Sequence, residues 1–352
     1  MKNITKTLLV LVSALSISFA SATAGELSVS GSANASYVIG GSNDSQSKGI
    51  GISNELNFTA SGEMDNGFTW NYSMELDGND SGAHDNDDTQ LVIGMGDMGT
   101  VGFFDSEGGL SQELGYGIGA LGTGSDYGNT MTVVYGDDVS NYPNVQYHLP
   151  ADLLPFGIGA KVGFAPNLAD GDNNSFKNEG PIQPNTLAGD SGTHYSLTAA
   201  PIDGLKVGAD YFSTDDGTAT AQDYESGNYF AQYAMGNFKV GYNKGYAAPA
   251  LTTKNAQKTM YENTAWGVEF AVNDALTVSY NEETSEATTN NAIAAGASSN
   301  TKTRVESEME SMQVAYILGG ATVGVHIIDV GNADYVDAKE EKKTVFSIAM
   351  EF

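Results

Sequence analysis

The sequence predicts an all-β chain closed into a 16-stranded antiparallel transmembrane β-barrel. Three observations carry this expectation: residue character repeats with a period of two along the chain, short connections alternate with long ones, and the strand count comes out even. Composition sets the outer limits. The 352 residues carry 44 acidic against 15 basic side chains, a formal charge of −29, so nucleic acid is excluded as a partner, because neutralising phosphates needs clustered Lys and Arg. The absence of cysteine removes zinc ribbons, disulfide scaffolds and thiol chemistry.

Lys2 and Lys6 precede an apolar run over 8–20, and Ala22-Thr23-Ala24 follows as a small-x-small cleavage site. This is the pattern of a secretory signal peptide over 1–24, leaving a barrel over 25–352 and a formal charge of −31. The apolar run falls short of the roughly 20 residues that a membrane helix needs, and no later stretch approaches that length. A membrane-embedded mature chain must therefore cross as strands.

Strand one places Leu27, Val29, Gly31, Ala33, Ala35 and Tyr37 on one face and Ser28, Ser30, Ser32, Asn34 and Ser36 on the other, which specifies a strand between two different solvents. The alternation returns at Phe68, Trp70, Tyr72, Met74 and Leu76, at Phe156, Ile158, Ala160, Val162 and Phe164, and at Trp266, Val268, Phe270 and Val272. Strands are expected over 27–38, 50–60, 68–77, 89–95, 101–105, 143–149, 156–164, 193–200, 205–213, 226–235, 238–246, 262–272, 276–284, 307–318, 321–330 and 343–352. Turns such as 64–67, 96–99, 202–204, 236–237, 273–274 and 319–320 alternate with long polar loops, which a barrel with short turns at one end and long loops at the other requires. Counting 130–135 as a strand breaks that alternation, so it is assigned to one long loop, 105–142. The last strand carries Phe346, Ile348, Met350 and Phe352 on one face. Tyr37, Tyr72, Tyr211, Tyr242, Trp266 and Tyr280 are candidates for the interfacial aromatic girdles.

Leader, strand count, long loop after strand five and terminal Phe352 together resemble the trimeric general porins of Gram-negative outer membranes, proteobacterial type. Gly99-Thr100-Val101 running into Gly102-Phe103-Phe104 looks like that family's turn into strand five, and Glu107-Gly108-Gly109 looks like the opening of its inward-folded third loop. The resemblance implies a constriction loop over about 105–142, a homotrimer, and outer-membrane lipid and lipopolysaccharide as surroundings. The chain departs from the family at strand five, where Asp105 stands in place of the usual arginine, and its single arginine, Arg304, is expected in a long loop.

The long loop offers Asp105, Glu107, Glu113 and Asp126 as constriction residues, with no Lys or Arg in it. Alternation places Glu55, Glu75, Asp77, Asp210, Glu269 and Glu283 on the lumen wall against Lys161, Lys206 and Lys239, an acidic excess that favours cations. His148, His194 and His326 also face inward and are read as solvated wall residues; they are too scattered for a metal motif, and a lipase needs its base on the lipid-facing side. Asp77, Asp80, Asp85, Asp87 and Asp88, with Asp170 and Asp172, are dense in hard oxygen ligands. Two readings stay open there: solvated acidic loops, or Ca²⁺ bridging loops and lipopolysaccharide phosphates. No cofactor is required and no catalytic residue is expected. The function expected is passive diffusion of small hydrophilic solutes and ions across the outer membrane with cation preference. A substrate-selective porin with a lumenal binding site, and a non-conducting surface structural or adhesion β protein, are the alternatives.

Overall fold

Polar residues alternating with apolar ones build a ladder in which every strand pairs antiparallel with its sequence neighbours. The computed structural model describes residues 27–42, 45–78, 84–105, 107–122, 136–150, 152–168, 191–215, 222–251, 258–290 and 302–352. The strands are β1 (Leu27–Ser42), β2 (Ser45–Glu63), β3 (Thr69–Gly78), β4 (His84–Gly94), β5 (Thr100–Asp105), β6 (Asn144–His148), β7 (Gly159–Ala165) and β8 (Ser191–Ile202) in the first half. The second half comprises β9 (Leu205–Asp215), β10 (Glu225–Met235), β11 (Phe238–Ala248), β12 (Lys258–Ala271), β13 (Leu276–Asn290), β14 (Lys302–Leu318), β15 (Ala321–Gly331) and β16 (Glu341–Glu351). They form one closed barrel, β1 pairing with both β2 and β16, so no strand edge is left for another chain to pair with.

Closure is completed at the final residue. Phe352 donates its N–H to the Gly31 carbonyl at 2.9 Å and accepts from the Gly31 N–H at 2.8 Å, and Tyr37 stacks on Phe346 across the same seam. Short turns join the strands at one end. At 64–68, Asn66 Oδ1 accepts the Phe68 N–H, and Gly67, at φ 81°, takes the left-handed conformation that a side chain disfavours. The β8 ladder is irregular between Ala199 and Ile202, where Pro201 has no N–H to give.

The two faces part as the alternation requires. Tyr195, Leu197, Tyr211, Tyr229, Phe238, Val240, Tyr242, Trp266, Val268, Met312, Val314, Phe346 and Ile348 are large apolar side chains left exposed on the outward face. An exposed apolar belt of this extent marks a surface made for lipid or a neighbouring subunit. The inward face holds Ser, Asn, Gln and ionisable residues, many of them buried: Gln146, His194, Asn228, Asn243, Asn281, Glu283, Gln313 and His326.

Several elements differ from expectation. β2, β4, β12, β13 and β14 each extend several residues beyond the alternating stretch, because main-chain pairing continues where both faces are polar and the pattern has nothing left to report. The acidic run over 77–88 is therefore partly strand, Asp77 pairing with Asp85. Arg304 sits in β14 opposite Thr288, with its guanidinium 3.4 Å from Glu286, rather than in a loop. Phe156 is a turn residue at φ 62° inside Pro155–Gly157, so β7 begins three residues later. Residues 1–26 and 130–135, on which the signal peptide and the rejected extra strand fall, lie outside the described residues.

Candidate channel constriction

After β5 the chain crosses onto the inward face of the opposite strands. The described segment 107–122 is hydrogen-bonded to each strand from β8 through β14. Gln112 gives its N–H to Asp210 Oδ2 at 2.6 Å and its Nε2 to Ser196 Oγ at 3.2 Å. Asn243 Nδ2 donates to the carbonyls of Gln112 and Glu113, and Gln232 Nε2 to that of Tyr116. Tyr116 Oη donates to Glu283 Oε1 at 2.7 Å. Further on, Ala120 N–H meets Ser279 Oγ at 2.9 Å, Leu121 N–H meets Gln313 Oε1 at 2.7 Å, and Gln313 Nε2 returns a bond to the Gly122 carbonyl at 2.7 Å.

Sterics explain why the segment lies so close. Gly163, Gly208, Gly241, Gly267 and Gly324 stand on the inward register of β7, β9, β11, β12 and β15, and a Cβ at each would meet the segment or its anchor at Val139. At Gly267 it would lie 2.7 Å from Ile118 Cγ2, and at Gly324 2.5 Å from Leu121 Cδ1. The missing side chains form a trough that receives Leu110, Tyr116, Ile118 and Leu121. Leu110 packs with Val139, Ala165, Leu168 and Phe212, and Tyr116 with Ile118 and Ala265.

A buried polar clamp holds the segment where it starts. Asp138 accepts the N–H groups of Leu110 at 3.0 Å, Ser111 at 2.6 Å and Ser140 at 3.0 Å. His194, fully buried on β8, bridges it to the wall: Nδ1 is 3.3 Å from Asp138 Oδ1 and Nε2 3.4 Å from Asp210 Oδ1. Burial alone would raise the Asp138 carboxyl, but the hydrogen bond and charge of His194, with the amides of Ser140 and Ser111, outweigh it and hold the pKa below the ordinary value of 3.8. Glu113 behaves oppositely: burial raises its carboxyl to about 7, reinforced by Asp138 and Asp210 against the hydrogen bond from Ser111 and the charge of His194.

A sequence profile described as Gram-negative porin matches residues 7–316. The chain belongs to the Gram-negative porin family. It is a porin of the outer membrane, crossing it with strands. The loop L8 deletion mutant of OmpT, an outer membrane protein of Vibrio cholerae, is similar at TM-score 0.64 and 14% identity, over 94% of this chain and 100% of its own. An anion-selective porin from Comamonas acidovorans gives 0.64 at 12% identity, over 93% and 100%. The trimer form of in-vitro folded Vibrio cholerae OmpT gives 0.56 at 14%, over 94% and 100%. At such identities the likeness is one of fold. No curated protein sequence matches the chain.

In this porin the residues singled out from sequence separate into groups. Asp105 shares the β5 register with Phe103, opposite Thr89 and Leu91, and lines an outward groove with Tyr72, Leu91 and Phe103. That corrects its assignment to the constriction: period two, running from the exposed Phe103, turns residue 105 outward. Glu107 is tied down locally, its backbone carbonyl accepting from Asn144 Nδ2 at 3.1 Å and its carboxylate from the Gly108 N–H at 3.0 Å. Glu113 is tucked between segment and wall. Glu55, Glu75, Lys161, Lys206, Asp210, Lys239, Glu269 and His326 lie on the inward register. Lys239 pairs with Glu269 at 2.8 Å, while Asp210 and Glu283 hold the segment, so part of the wall's charge is spent on docking rather than presented to solutes.

His194 and His326 are fully buried, not solvated, His194 under Asp138 and Phe212 and His326 against Ser311 Oγ at 2.5 Å. Among the proposed calcium ligands, Asp88 lies in β4 and Asp77, Asp85 and Asp87 in the β3–β4 ladder. Asp80, Asp170 and Asp172, like Asp126, lie outside the described residues. The Asp138–His194–Asp210 clamp was not singled out from sequence, since His194 read only as an inward residue; the inward acid Asp210 on the next strand and the acid pair Asp137 and Asp138 at the end of the long loop are the signal that points to it.

Proposed function

We propose that this porin is a water-filled channel for passive diffusion of small hydrophilic solutes and ions, preferring cations, working without cofactor or catalysis and assembled as a homotrimer. The observation that carries this reading is the docking of 107–122 along the inward face from β8 to β14, which supports a fixed constriction rather than an empty bore or a filled one. Cation preference rests on charge: −29 overall, with no Lys or Arg over residues 105–142. Fold does not set the sign, since the barrel from Comamonas acidovorans is anion-selective. The preference is modest, because Glu55, Glu75 and Asp77 stand against Lys161 and Lys206 once the docked and paired acids are discounted.

A non-catalytic role is supported by the Ser311–His326 contact, in which both partners are closed to solvent. The trimer form of Vibrio cholerae OmpT and the exposed apolar belt support trimerisation. The acidic rim over 77–88 suits divalent cations bridging to lipopolysaccharide phosphates. Single-channel recording in a planar bilayer, with the zero-current potential measured across a KCl gradient at low ionic strength, tests the function. Discrete ohmic openings with a cation-sign potential are expected; absence of conductance, or a chloride-sign potential, overturns the channel or its preference respectively.

A further inference from the structure

Between segment 107–122 and strands β10–β13 lies a small cavity of about 10 Å³, lined by Glu113, Asn228, Asn243, Asn263 and Glu283 among others. Its polar lining is short of donors. Glu113 Oε2 and Asn243 Oδ1 are both buried with no hydrogen-bond partner, and Asn243 as a whole is 3% exposed. The orientation of Asn243 is fixed by its Nδ2, which donates to the carbonyls of Gln112 at 3.2 Å and Glu113 at 2.9 Å and so leaves Oδ1 for the cavity. Glu283, 1% exposed, brings a second carboxylate, oriented by Tyr116 Oη at 2.7 Å and Asn281 Nδ2 at 3.3 Å.

While Glu113 is ionised the two acceptors cannot satisfy one another, and leaving such groups unpaired costs about 1–3 kcal/mol each, more when charged. The volume matches one water-sized occupant. A water would satisfy two acceptors and leave an ionised Glu113 without a counter-charge in the cavity, with Asp138 and Asp210 adding to the field there and the Ser111 hydrogen bond and the charge of His194 opposing it. A hard cation satisfies the acceptors and the charge together. The donor set is oxygen only: two carboxylates, each able to bind through both oxygens, and the side-chain amides of Asn243 and Asn228, which is the chemistry of calcium rather than of a transition metal.

We propose that this cavity binds one Ca²⁺, held by Glu113, Glu283 and Asn243 Oδ1, and that the ion fastens the segment to the wall. The site is separate from the acidic rim over 77–88 and from the outward trio Glu282, Glu308 and Glu310, whose oxygens lie within 4.8 Å of one another on exposed strands. It does not depend on conduction.

The test uses the full folded barrel in detergent, stripped with chelator and titrated with CaCl₂ near neutral pH, following heat of binding and hydrogen exchange over 112–117. One saturable equivalent that slows exchange in this stretch is expected. Glu113→Gln and Glu283→Gln, which keep shape, weaken that equivalent at least about tenfold, the loss of about 1.4 kcal/mol, while Glu308→Gln leaves it unchanged. Heat-modifiable migration of each variant verifies that the barrel has closed. Absence of a saturable equivalent assigns the cavity to a proton or a water and overturns the proposal. Saturable binding that survives both variants places the calcium elsewhere and overturns it equally.

Discussion

Replacing Asp138 with Asn tests how the segment is held. The substitution preserves shape but turns one carboxylate oxygen into an amine donor and removes the charge facing His194. With the remaining oxygen serving Leu110 and Ser140, the Ser111 N–H, now at 2.6 Å from its acceptor, faces a donor instead. A hydrogen bond to a charged group is worth roughly 1.5–3 kcal/mol. The ion pair adds a smaller increment because Asp138 keeps a little solvent contact, its side chain being 14% exposed. The sum, about 2–4 kcal/mol, corresponds to a rise of roughly 30- to 700-fold in the population of the undocked segment. Hydrogen exchange read at the amides of Leu110, Ser111 and Gln112 measures that population directly, whereas the β9–β10 ladder, whose bonds are independent of Asp138, serves as the internal reference. Unchanged protection at these amides in Asp138→Asn refutes the clamp, and equal loss in the ladder shows that the whole barrel, not the segment, was affected.

Four further outcomes are expected. Asp138 has a depressed pKa, so its contribution is complete above 3.8, and falls away as pH drops through the lower folded-state value; protection at Ser111, taken relative to the intrinsic exchange rate at each pH, stays flat from neutral pH to about 4 and drops below, and the drop is absent in Asp138→Asn. Asp105→Asn leaves ion selectivity unchanged because the side chain shares the outward register, whereas Lys161→Glu with Lys206→Glu shifts the zero-current potential further toward cations. Gly324→Val puts a branched side chain into the position of Leu121, lifting the segment and raising exchange over 119–122 while the barrel stays closed, and an altered single-channel conductance accompanies it. Native mass spectrometry in mild detergent yields three copies; a monomer alone speaks against the trimer.

The architecture was readable because lipid and water face opposite sides of each strand, so one substitution in register is visible as a break in alternation. Trp266 and Val268 against Gly267 and Glu269 report their faces without any tertiary information. The same rule, applied one residue further along β5, would have turned Asp105 outward; it was placed by its nearness to the loop instead, and position along the chain is the weaker guide. Strand ends in β13 and β14 were not readable, since Glu282, Glu286, Glu306 and Glu310 face outward above the apolar belt and their polarity resembles a loop's. Docking was hidden for another reason. Leu121 and Gln313, or Tyr116 and Glu283, are far apart in sequence, and an Asn or Gln on a wall looks the same whether it meets water or a carbonyl. The inward glycines at 163, 208, 241, 267 and 324 are the one trace left in the sequence, each unremarked alone and meaningful only once the strands are aligned.

The seat of 107–122 also orders events in time. It is assembled from seven strands, β8 to β14, through Ser196, Asp210, Gln232, Asn243, Glu269, Ser279, Glu283 and Gln313, none of which can hold the segment alone. Until those hairpins have zipped together the segment has nowhere to go, and Leu110, Tyr116, Ile118 and Leu121 remain uncovered beside unpaired strand edges, the condition in which partly formed β sheets aggregate. Docking therefore follows the pairing of β8 to β14: a chain whose segment is shielded has already aligned those hairpins.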